Sequence, residues 1–251
     1  MTHQPESPVT AKPDPSPSGG AHPINPRAYR ATMVVLNRFF RYYVRTRVDG
    51  QSQLPAEGPL LVPLNHSSNL DAFVTGFALQ RPAHFLLKVE STELPLIGRW
   101  LKSVGGIPAK RDKQDNLALR EMMAVLKAGG LLGMTPEGTR SLDGRMLPYD
   151  PGFAWLALRT GATVVPLAIH GTHAIWPKGA LFPRPGRVWC RFGEPFDWSG
   201  EGRASKERLA ELAEDVRQRT LGLLAELAVE SGLPSPAVEA EARLGRSAAE
   251  V

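Results

Sequence analysis

Residues 60–71 read LLVPLNHSSNLD. The run over 60–64 is apolar without a break, the mark of a strand buried on both faces of a sheet. It ends on Asn65 and His66, and Asp71 follows five residues after the histidine. Ser67, Ser68 and Asn69 favour turns and helix caps, so the spacing predicts a strand-to-helix corner with Ser68 or Asn69 as cap and Asp71 in the first helical turn. From there the carboxylate can fold back onto the imidazole Nδ1 and leave Nε2 to take a proton. Imidazole is the side chain suited to that work near neutral pH.

Outward from this stretch, short apolar runs over 84–88, 104–108, 131–135, 163–169 and 187–192 alternate with helical patterns near 70–80, 95–102, 115–128 and 151–160. Such alternation predicts an α/β fold with a mostly parallel or mixed central sheet covered by helices. A further amphipathic helix over 205–231 carries Leu209, Leu212, Val216, Leu223 and Leu227 on one stripe and is expected to dock on that domain.

Sites in open α/β sheets lie beyond the carboxyl ends of the strands. Four runs end there in polar residues: Asn65 and His66 after the first, Lys88 at the end of the second, GGIPAKR with Arg111 after the third, and TPEGTRS after the fourth. With parallel neighbours, His66, Lys88, Arg111, Glu137 and Arg140 surround one crevice. Gly138 would let backbone N–H groups approach an anion, with Arg140 adding a fork of donors.

No G-x-S-x-G elbow occurs, and Ser67 and Ser68 lie too near His66 in the chain to act as its in-line nucleophile. The nucleophile is then expected on the substrate, as in acyl transfer to an alcohol without a covalent acyl-enzyme. A metal reading of His66 and Asp71 lacks a local third ligand, H-E-x-x-H or a Cys/His cluster, so no metal and no cofactor are expected.

Composition bounds the rest. The chain has 251 residues, a formal net charge of +5 and one cysteine, Cys190, which excludes an intramolecular disulfide and fits a cytoplasmic setting. Residues 1–26 hold seven prolines and read as a disordered arm. Over 29–48 Met33, Leu36, Phe40 and Tyr43 repeat at helical spacing with Arg30, Asn37, Arg38, Arg41 and Arg45 opposite. This predicts a basic amphipathic helix over 27–50 lying on an anionic bilayer, where each basic residue adds about 1 kcal/mol; packing of its apolar stripe on the domain is the competing reading. No run approaches the ~18 apolar residues of a membrane span. Residues 51–231 form the main domain and 232–251 a fraying tail. A nucleic-acid-binding module fits the charge, but aromatics are 7% of the chain and no RRM, KH or zinc-finger pattern occurs.

In order, these segments resemble the glycerolipid acyltransferase family, which includes 1-acylglycerol-3-phosphate acyltransferases. Asn65, His66 and Asp71 match its Asn-His-x-x-x-x-Asp motif; Gly105 and Arg111 match its second; Pro136 to Ser141 match Pro-Glu-Gly-Thr-Arg-Ser, with Thr135 where Phe is usual; Val165 and Pro166 match its apolar Val-Pro segment. Tyr149, Asp150 and Pro151 stand where relatives commonly carry basic residues. The resemblance implies a glycerol-3-phosphate acyltransferase-like fold and a catalytic dyad of His66 and Asp71, with Lys88 assisting at the oxyanion. It places Asn65, Arg111, Glu137, Gly138, Thr139 and Arg140 around a phosphorylated acceptor. It implies transfer of a fatty acyl chain from a coenzyme A or acyl-carrier-protein thioester to a lysophospholipid, foremost 1-acylglycerol 3-phosphate, by a peripheral protein at the cytoplasmic face of the membrane. Another glycerolipid or lysolipid acceptor, or water, is the alternative.

Overall fold

The computed structural model describes residues 23–79, 81–110 and 115–249. The helices are α1 (Pro26–Arg38), α2 (Leu70–Ala78), α3 (Val89–Glu93), α4 (Ile97–Ser103), α5 (Asn116–Lys127), α6 (Gly152–Thr160), α7 (Thr172–Ile175), α8 (Lys206–Ser231) and α9 (Pro236–Ala249). The strands are β1 (Thr46–Asp49), β2 (Leu60–Pro63), β3 (Ala83–Lys88), β4 (Gly106–Ala109), β5 (Leu131–Met134), β6 (Thr163–Val164), β7 (Leu167–His170) and β8 (Val188–Phe192).

Five strands in the order β4-β3-β5-β2-β6 make an all-parallel sheet. Successive side chains of a strand point to opposite faces, and β2 shows what that dictates. Leu61 joins Leu132, Val125, Phe153 and Leu224 on the face covered by α5, α6 and α8. Leu60 and Val62 join Leu131, Leu70, Val74 and Phe40 on the face covered by α2 and the N-terminal helical segment. Every residue of β2 is buried, as a strand sandwiched between two helical layers requires.

The expected strand over 163–169 is two strands. Val165 and Pro166 interrupt it, because proline brings no N–H to a ladder. β6 stays with β2, whereas β7 pairs antiparallel with β8 in a three-stranded sheet, β1-β8-β7. A parallel bridge from Leu64 to Leu167 joins the two sheets. β2 and β7 therefore end on the same edge, while β8, antiparallel to β7, and its parallel partner β1 begin there.

The N-terminal segment departs most from its sequence reading. Asn25 caps α1 by accepting from the N–H groups of Arg27 (3.0 Å) and Ala28 (3.2 Å), with Pro26 at the first helical position. A π turn, Phe39–Tyr43, follows. Thr46–Asp49 is not helix but strand, paired with β8, a state its β-branched Thr46 and Val48 favour. Leu36 and Phe40 of the predicted stripe pack on the domain core with Phe39 and Val44, while Val34, Val35 and Tyr42 are exposed. The apolar stripe thus serves the fold. The tail read as fraying contains α9, whose Ala237 packs with Met146 and Val216. The arm over 1–22 lies outside the described residues. No described helix is long and apolar enough to cross a membrane.

Candidate active site

The corner after β2 folds as its residue types dictate. Ser68 Oγ accepts from the Leu70 N–H (3.1 Å) and opens α2, which puts Asp71 in its first turn. Asp71 is fully buried, and one oxygen, Oδ2, accepts from the N–H groups of Ser67 (2.8 Å) and Ser68 (2.8 Å) and faces His66 Nδ1 at 2.9 Å. The other oxygen, Oδ1, accepts from the Thr172 hydroxyl at 2.7 Å. A carboxylate with four donors around it is fixed in position. Because it can only accept, the proton on His66 lies on Nδ1, leaving Nε2 basic. The His66 side chain is 21% exposed, and among the described residues Nε2 takes no protein hydrogen bond.

Neither neighbouring serine is a free nucleophile. Ser68 Oγ donates to the Trp176 carbonyl (2.8 Å), and Ser67 Oγ is 3.2 Å from Thr172 Oγ1. Among the described residues the arrangement is an oriented base with both adjacent serine hydroxyls already engaged.

The loop after β5 holds the histidine backbone. Its turn closes with the Gly138 N–H on the Thr135 carbonyl (3.0 Å), with Gly138 at φ +66°, a conformation glycine adopts without steric cost. Glu137 then turns inward: Oε1 accepts from the His66 N–H (2.6 Å) and Oε2 from the Leu147 N–H (2.8 Å). The Ser141 N–H returns to the His66 carbonyl at 3.0 Å. The carboxyl expected to hold the acceptor is thus a latch between two loops, with both oxygens engaged by main-chain amides. Burial pushes its pKa from 4.5 up to about 7, against the pull of the Leu147 and His66 amides.

Two outcomes follow from the latch. Glu137→Gln keeps one acceptor but turns an NH2 onto the other amide, so it should cost about 1–3 kcal/mol in acid and lower turnover ~10-fold through a displaced His66, measurable by denaturant unfolding and initial rates. Since the folded-state pKa lies above the unfolded value, the folded protein keeps a proton that the unfolded chain releases. The stability this carboxyl contributes is full below about 4.5 and is lost as pH rises through about 7. The margin of wild type over the glutamine variant should narrow across that window.

The other expected residues divide. Arg140 is half-buried, and one guanidinium nitrogen, Nη1, is buried without a hydrogen-bond partner. A cation with an unused inward donor fits an anion. Gly138 and Thr139 are exposed beside it. Asn65 is buried and pairs both ways with Ile169 of β7, donating to the carbonyl (2.9 Å) and accepting from the N–H (2.8 Å), so its side-chain amide stitches the two sheets. Lys88 is exposed at the end of β3, level by register with Asn65 but two strands away, ~10 Å at the usual strand spacing. Arg111 lies outside the described residues. Its motif partner Gly105 has φ +102°, and a Cβ there would stand 2.6 Å from the Ala83 carbonyl. Among the described residues no group of three or more His, Cys, Asp or Glu is placed to hold a metal ion.

Sequence reasoning missed Thr172, 101 residues from Asp71 in the chain. Its only sequence signal is its place just past a buried strand, after Gly171.

A family model described as Acyltransferase matches residues 45–170. A chloroplast 1-acyl-sn-glycerol-3-phosphate acyltransferase of Brassica napus is 34% identical over 141 residues, 55% of this chain and 41% of that protein. The enzyme of that name from Bacillus subtilis is 27% identical over 175 residues, 69% of this chain and 85% of its own. The crystal structure of the 1-acyl-sn-glycerophosphate acyltransferase PlsC from Thermotoga maritima superposes with a TM-score of 0.67 at 28% identity, covering 78% of this chain and 79% of that one. The chain spans about two fifths of the Brassica napus relative.

Proposed function

Because this chain belongs to the acyltransferase family, we propose that it transfers a fatty acyl group from a coenzyme A or carrier-protein thioester to the free hydroxyl of 1-acylglycerol 3-phosphate, giving phosphatidic acid. The observation that carries this reading is an oriented His66–Asp71 base whose neighbouring hydroxyls, Ser67 and Ser68, are both engaged elsewhere, next to a loop whose Arg140 has a buried unused donor. The names of the similar proteins support the choice of acceptor.

In the proposed reaction Nε2 of His66 takes the proton of the acceptor hydroxyl as its oxygen attacks the thioester carbon. Asp71 supports the imidazolium that forms. The tetrahedral intermediate then collapses, the C–S bond breaks, and the proton passes from Nε2 to the departing thiol. Lys88 is the proposed oxyanion donor, reaching over β5 with substrate between it and the imidazole. Arg140, with the Gly138–Thr139 backbone, holds the acceptor phosphate. No cofactor beyond the thioester is used. The protein works at a bilayer surface, the cytoplasmic face in this reading, with the arginines of the N-terminal segment attracting anionic lipid.

Incubation with 1-acylglycerol 3-phosphate and an acyl thioester should yield phosphatidic acid and free thiol in equal amounts by mass spectrometry. Free fatty acid in place of phosphatidic acid would make water the acceptor and end this reading. Arg140→Ala should raise the acceptor KM ~10-fold or more with kcat little changed, since a charge-assisted contact is lost from ground and transition states together. An unchanged KM moves the phosphate elsewhere.

A further inference from the structure

We infer that the loop over 177–187 is a bilayer wedge that seats the rim of the active site on anionic lipid. Its base is tied down and its tip is bare. The Trp176 indole N–H donates to the Ala180 carbonyl (2.8 Å), the Ala180 N–H to the Pro177 carbonyl (3.2 Å), the Arg184 N–H to the Ile175 carbonyl (3.0 Å), and the Tyr43 hydroxyl to the Pro183 carbonyl (3.0 Å). On this footing Leu181 and Phe182 stand 84% and 80% exposed. Two large adjacent apolar side chains on a held loop are presented to something other than water.

The surroundings say what. Lys178, Arg184 and Arg187 flank the tip, and no acidic residue occurs from 172 to 193 or from 23 to 48. Through Tyr43 the loop is joined to the π turn, where Tyr42 is 73% exposed between Arg41 and Arg45. Aromatic and aliphatic tips among unopposed cations fit a headgroup layer with acyl chains beneath. The opposite end of the second sheet has the other character: Arg191, near the end of β8, is enclosed by Asp49, Glu226 and Glu230.

The wedge and the dyad also share an edge. β7 ends at His170 opposite Trp189, and β8 begins at Val188 opposite Thr46, so the 177–187 loop and the π turn leave the sheets where β2 delivers His66. α7, which carries Thr172 to Asp71, leads directly into the loop, and Trp176 at its end accepts from Ser68. Lipid entering along the wedge therefore arrives at the base. The inference rests on the bilayer-surface reading above and names the contact that it lacks.

Cys190 is the single cysteine and is fully buried, so Phe182→Cys creates one reactive thiol for an environment-sensitive nitrobenzoxadiazole label. In the full chain that label should brighten and shift to shorter wavelength on vesicles of phosphatidylglycerol with phosphatidylcholine, and be quenched by nitroxide on the acyl chains. A label at Val229→Cys, exposed on α8 near the acidic end, should not respond. Leu181→Asp with Phe182→Asp should lower vesicle partition ~100-fold while turnover on detergent-dispersed acceptor stays at the wild-type level. If the protein floats with vesicles but the 182 label keeps its aqueous emission, or the double variant partitions like wild type, the wedge is wrong and the bilayer reading stands. If the unlabelled chain does not bind these vesicles, both fall.

Discussion

Replacing His66 with alanine should remove ~10² to 10⁴-fold of kcat, the usual span of general-base catalysis, and leave acceptor KM and the fold nearly untouched. The fold is spared because the links between this corner and the loop after β5 use the main chain of residue 66: its N–H goes to Glu137 and its carbonyl to Ser141. Only the imidazole departs, and Asp71 keeps the Ser67 and Ser68 amides and the Thr172 hydroxyl. Initial rates with the lysolipid and thioester, beside a denaturant titration, check both halves. A variant that retains wild-type turnover removes the proton-transfer role.

Asp71 separates charge from scaffold in a way that its four donors make sharp. In Asp71→Asn the Ser67 and Ser68 amides demand an oxygen where Oδ2 now sits, so the new NH2 falls at the Oδ1 position, facing the Thr172 hydroxyl. That hydroxyl can reverse and accept, passing its proton to Ser67 Oγ 3.2 Å away. The imidazole keeps its tautomer, and what is lost is the negative charge that steadies the imidazolium; kcat should fall by roughly 10 to 10²-fold with stability close to wild type. Asp71→Ala instead orphans two buried amides and a hydroxyl, each costing about 1–3 kcal/mol, and should match His66→Ala in turnover while unfolding at markedly lower denaturant. Equal loss from Asn and Ala at equal stability would contradict the arrangement.

Local chemistry explains what could be read beforehand. The pairing of His66 with Asp71 was legible because the four residues between them, two of them serines, can turn a strand into a helix in only a few ways. The parallel sheet was legible from apolar runs such as 60–64. Contacts between segments far apart were not. Sequence places Glu137 at the acceptor because it lies in the motif over 136–141, and nothing local says that amides of His66 and Leu147 engage both of its oxygens. Asn65 likewise reads as a site residue until β7 is brought alongside it. The stretch over 46–49 continued a helical period by chance, and its strand state is decided by β8, 142 positions away. Val165 and Pro166 matched a motif, but the exchange of sheets that they impose is visible only once both sheets are built.

That exchange of sheets bears on how the molecule comes into being on the ribosome. His66 follows an early strand, yet the hydroxyl that steadies its aspartate sits past β7, and β7 is flanked by β8, which in turn receives β1 from near the start of the chain. Pairings of such long sequence separation close late in folding. A nascent chain short of residue 192 would therefore hold an imidazole and a carboxylate without the frame that aims them, and competence would arrive at one stroke, when translation has released the last strand.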